Sequence, residues 1–94
     1  QDRKTQRKIT MHEGAVCREI VEIVGAAARD NEIEKVYEIV LSVGPYSCIN
    51  TAQINFYFEV IRQGTCMEEA VITVERDEEL TGASQMYIKT FRGE

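Results

Sequence analysis

At 94 residues, 44% hydrophobic and 29% charged, the chain is long enough for one domain around one core and too rich in apolar residues to be wholly disordered. Its net charge of −5 is spread unevenly, with Arg3, Lys4, Arg7 and Lys8 set against Asp2 in residues 1–10, so the body is acidic and lacks the basic face that a nucleic-acid partner requires. No apolar run approaches the roughly eighteen residues that span a bilayer, and no signal peptide is visible, so the expectation is a cytoplasmic protein with no membrane partner.

Residues 1–10 read as a basic, flexible extension, and residues 11–94 as the domain. Met11-His12-Glu13 follows and holds the single histidine of the chain. Imidazole is the commonest protein ligand for nickel, copper and zinc, and beside backbone amides it can anchor a planar nitrogen site for Ni(II) or Cu(II). From Gly14 to Arg29, Val16, Cys17, Ile20, Ile23, Val24 and Ala27 recur at helical spacing, which predicts a helix with one buried stripe. Asp30-Asn31 supplies its stop, with Asn31 expected in the left-handed conformation. Tyr37, Ile39, Leu41 and Val43 then alternate along a strand predicted over 36–43, which Gly44-Pro45 ends.

A second helix is predicted over 50–63. Asn50 is its N-cap, Gln53 stands three residues on in a capping-box-like pair, and Ile49 and Ile54 occupy the positions of a hydrophobic staple. Ile54, Tyr57, Phe58 and Ile61 form the stripe, with Tyr57, Phe58 and Ile61 expected among the most buried residues, and Gly64 is the expected left-handed stop. Strands are predicted over 70–76 and 85–91, separated by an acidic loop around Asp77-Glu78-Glu79. The expected fold class is α/β in the α+β sense: two helices packed on one face of a small mixed sheet.

Cys17, Cys48 and Cys66 are odd in number and contain no C-x-x-C pair, so they form neither a disulfide framework nor a zinc ribbon. Reduced thiols are the expectation, with Cys48 or Cys66 available as a soft ligand if the fold brings one near His12. One histidine, no Ser-His-Asp set and no glycine-rich phosphate loop leave no catalytic constellation, so the chain does not read as an enzyme.

Met11-His12-Glu13, the helical Ile20-Val21-Glu22-Ile23, the strand from Ile39 to Gly44, the segment Tyr46-Ser47-Cys48 and the run from Phe56 to Thr65 together resemble the HypA family of hydrogenase and urease nickel-incorporation proteins. The resemblance runs in register from residue 11 to about 76 and resumes in Met86-Tyr87-Ile88-Lys89. It implies a metallochaperone-like protein that handles Ni(II), with Met11, His12 and Glu13 as metal-site residues and a maturation GTPase and a hydrogenase or urease precursor as partners; a homodimer is compatible with it. The chain departs from the family's pattern twice. Ten residues precede a tripeptide that in the family opens the polypeptide with a free amine, and the two C-x-x-C motifs of the family's zinc module are replaced by the loop Asp77 to Ser84, so structural zinc is not expected. A divergent interaction or adaptor module without metal delivery is the alternative.

Overall fold

The computed structural model describes the backbone of residues 2–82 and 85–94 and the side chains of residues 13–82 and 85–94. The elements run α1 (Asp2–Asp30), β1 (Val36–Val43), α2 (Thr51–Ile61), β2 (Val71–Arg76) and β3 (Met86–Gly93). The three strands form one sheet in the order β2-β1-β3, parallel between β1 and β2 and antiparallel between β1 and β3. This is the mixed sheet expected: parallel neighbours need a crossover, which α2 supplies.

Helix α1 is longer than the periodic stretch that predicts it, and residues 2–10 belong to it; their side chains, with those of Met11 and His12, lie outside the described residues. The apolar stripe holds with two changes. Val16, Cys17, Ile20 and Val24 are buried, but Ala28 replaces Ala27 in the core and Ile23 is 57% exposed. Ile23 sits on the flank of α1, where with Ile88 and Phe91 it lines a shallow cavity of about 280 Å³. At the helix end it is Glu32, not Asn31, that turns left-handed, at φ 56°. Ile33 N–H then reaches back to Ala28 O at 2.8 Å and the Asn31 side-chain amide donates to Ala27 O at 2.7 Å, satisfying carbonyls that the helix leaves open.

In β1 the core residues are Val36, Ile39, Leu41 and Val43. Tyr37 does not share their face. Between Val36 and Glu38 the ladder to β3 advances two residues against one, so Tyr37 is a bulge residue and the alternation flips there. Its hydroxyl donates to Glu94 Oε1 at 2.7 Å. A second irregularity places the extra residue, Lys89, in β3, and returns Ile88 and Met86 to the face already held by Phe91. On the opposite face Val40 and Ser42 are buried as well. Lys89 of β3 reaches Glu75 of β2 at 3.0 Å across the central strand, while Glu38 of β1 meets Arg92 of β3 at 3.5 Å and accepts from Thr73 of β2 at 3.2 Å.

Helix α2 starts as its sequence predicts. Asn50 Oδ1 accepts from Gln53 N at 3.1 Å, and Ile49 and Ile54 are both buried. Phe58 and Ile54 are fully buried, whereas Tyr57 and Ile61 pack at the rim of the core and are only partly covered. Gly64 adopts φ 77° in the turn that follows. Asn55 fixes α2 to the sheet edge: its Oδ1 accepts from Ile72 N at 2.9 Å and its Nδ2 donates to Ile72 O at 2.9 Å. Both backbone groups of an edge-strand residue are thereby paired by one side chain, which closes that stretch of the edge.

The ends of the strands are pinned by polar contacts. Arg76 donates to the carbonyls of Gly44, Ser47 and Ile49, holding the β1–α2 loop over the end of β2. At Gly44 the backbone of Leu80 approaches so closely that any Cβ would collide with its carbonyl oxygen, which makes glycine a requirement there.

Candidate metal site

The three residues singled out from sequence, Met11, His12 and Glu13, are consecutive in α1, and the side chains of the first two lie outside the described residues. Glu13 is described, and its place is not one the sequence foretold: it is 3% exposed, continuous with the buried stripe of the helix. Its Oε2 has no hydrogen-bond partner among the described residues. A buried carboxylate oxygen without a donor is costly, and it is a ligand atom that a cation would satisfy.

One helical turn further on, Cys17 is fully buried and its thiol donates to Ile54 O in α2 at 3.4 Å. Burial, reinforced by the neighbouring Glu13 carboxylate and opposed by Arg18, pushes this thiol from 9.0 to about 11. The thiolate is the metal ligand and nucleophile, so Cys17 is a structural thiol at neutral pH. Between Glu13 and Cys17, Gly14 is shielded from solvent, yet a Cβ built there would meet nothing within 4 Å among the described residues.

The soft-ligand expectation for Cys48 or Cys66 turns on the His12 side chain, which lies outside the described residues. Cys48 is exposed in the β1–α2 loop and Cys66 is half-buried in the turn before β2, lining a cavity of about 180 Å³ with Glu34, Glu68 and Glu69. Among the described residues no group of three His, Cys, Asp or Glu side chains is arranged to hold a metal ion. The connector from Asp77 to Gln85 contains no cysteine, so a thiolate zinc site has no ligands there. No helix among the described residues is long and apolar enough to cross a membrane.

Two helices over a three-stranded mixed sheet, with a histidine-bearing tripeptide in the first helix, define a small two-layer α+β domain whose fold recurs in solved structures. The solution structure of the Ni metallochaperone HypA from Helicobacter pylori superposes with a TM-score of 0.71 at 13% identity, covering 86% of this chain and 96% of that one. The sequence goes further than the fold. The family model described as hydrogenase/urease nickel incorporation, metallochaperone, matches residues 11–85, and the chain belongs to that family, HypA. It is similar to the hydrogenase maturation factor HypA of Actinobacillus succinogenes, 42% identical over 62 residues that cover 66% of this chain and 55% of that protein. It is likewise similar to the hydrogenase maturation factor HypA of Legionella pneumophila strain Lens, 39% identical over 64 residues that cover 68% and 57%. The chain thus spans somewhat more than half the length of the curated relatives it matches.

Proposed function

We propose that this chain is a nickel-binding, metallochaperone-like module that handles Ni(II) for the maturation of a metalloenzyme. The observation that carries the reading is the point at which the family match begins: residue 11, the methionine of Met11-His12-Glu13. The relatives, which are hydrogenase maturation factors, and the structural neighbour, a Ni metallochaperone, support the cargo and the destination. In this reading nickel is cargo rather than a resident cofactor. His12 donates an imidazole nitrogen, the backbone nitrogens of Met11, His12 and Glu13 supply planar donors, and the Glu13 carboxylate serves as an outer or axial ligand. A maturation GTPase and a hydrogenase or urease precursor are the partners that such a role requires, and the role involves no chemical turnover by the chain itself. The alternative, an adaptor without metal delivery, draws on Phe56 and Val60, which are 66% and 70% exposed on the outer side of α2.

Calorimetric titration with Ni(II) tests the proposal on three proteins: the native chain, His12→Ala, and a chain beginning at Met11. The native chain is expected to bind and His12→Ala to lose binding. The shortened chain is expected to bind more tightly, because a primary amine replaces an amide at the anchoring position. Affinity is expected to weaken as pH falls through about 6.5, where imidazole takes up its proton, and more steeply if amide nitrogens must lose theirs to bind. Equal affinity in all three proteins would remove His12 from the site, and no binding in any of them would leave the adaptor reading.

A further inference from the structure

We infer that nickel capture unwinds the start of α1 and that Gly14 is the hinge at which the unwinding stops. The inference rests on the nickel-binding reading and follows from where the tripeptide lies. Met11, His12 and Glu13 are inside a helix that runs Asp2–Asp30. In such a helix each peptide N–H donates to the carbonyl four residues back. A peptide nitrogen coordinates Ni(II) only after its proton has left for solvent, and a deprotonated nitrogen has nothing to donate. The helical and the amide-coordinated states of these residues therefore exclude one another.

Two described features place the boundary at Gly14. Glycine is the weakest helix former after proline and is among the residues accepted at an N-cap, where alanine is poor, so a helix that starts afresh at Gly14 costs little. Beyond it Val16, Cys17 and Ile20 are buried in the core, and the Cys17 thiol is bonded to α2, which holds the rest of α1 in place. Glu13 stands on the unwinding side. Its buried oxygen, which has no hydrogen-bond partner among the described residues, is freed from the interior when the backbone leaves the helix and becomes available to the metal.

The test compares three variants of the full chain by nickel calorimetry and far-ultraviolet circular dichroism. Gly14→Ala adds a methyl that meets nothing within 4 Å among the described residues, strengthens the helix that must melt and weakens the cap that must form; nickel affinity is expected to fall about tenfold. Gly25→Ala strengthens the same helix beyond the hinge, its Cβ in ordinary contact at 3.7 Å from Met67 Cε, and nickel affinity is expected to stay unchanged. Gly14→Asn introduces a larger side chain that caps well, and it is expected to bind nickel as the native chain does, which separates coupling from simple obstruction. Helical ellipticity of the native protein is expected to fall on nickel addition. If His12→Ala abolishes binding while Gly14→Ala binds as tightly as the native chain, the site reading stands and the hinge is refuted. Equal losses in Gly14→Ala and Gly25→Ala, or unchanged ellipticity on loading, also refute it. Absence of nickel binding in the native chain overturns both.

Discussion

Replacing Asn55 with alanine asks how much one side chain contributes by closing the β2 edge. The substitution removes two part-buried hydrogen bonds to Ile72, each 2.9 Å long. A net worth of about 1 kcal/mol per bond sets the gross loss at about 2 kcal/mol. Alanine is the better helix former by about 0.5 kcal/mol, which offsets part of it and leaves a net destabilisation of about 1.5 kcal/mol. With a urea slope of about 1 kcal/mol per molar for a chain of this size, the midpoint is expected about 1.5 M lower. Native-state hydrogen exchange supplies the local readout: the Ile72 amide loses its acceptor in the variant and is expected to exchange faster, whereas the Thr73 amide is expected to change only with global stability. An unchanged urea midpoint together with an unchanged Ile72 exchange rate would refute the assignment of Asn55 as the edge closure.

Phe58→Ala is expected to cost about 3–5 kcal/mol, since this ring is fully buried where α2 meets the core, and a loss below about 1 kcal/mol in urea melts would contradict its place there. Thiol reagents near neutral pH are expected to modify exposed Cys48 first and to reach Cys17 only on unfolding; early labelling of Cys17 would contradict its burial. The raised Cys17 value also fixes a sign: the folded state holds this proton more tightly, so its contribution is complete below 9.0 and is lost as pH rises toward about 11. Cys17→Ala is expected to flatten that alkaline limb of stability, and an identical limb in the variant would assign it to another group.

Helix α2 was legible almost residue by residue, because its signals are local: Asn50 as cap, Ile49 and Ile54 as staple, and Gly64 as the left-handed turn all act within a few positions. The misreadings have a different origin. Tyr37 alternates correctly with Ile39, but a bulge carries no mark of its own in the sequence and is set by the partner strand. Ile23 and Tyr57 belong to helical stripes whose width is decided by how far the neighbouring element extends. The tripeptide at the candidate site was visible as a motif, whereas the burial of Glu13 was not, because a carboxylate is expected at the surface unless the fold places it elsewhere.

The two irregularities of the β1–β3 ladder stand in opposite strands, and each undoes the other. Val43 faces Met86 at one end and Val36 faces Gly93 at the other, the same registration, while the segment between them is displaced by one residue. Losing Tyr37 alone, or Lys89 alone, would leave that displacement uncorrected and turn part of one strand inside out. Length changes in this antiparallel pair are therefore tolerable only in twos, one per strand. A single-codon deletion at either position would be far more damaging than any substitution there, while the double deletion would yield a plain ladder with the same ends.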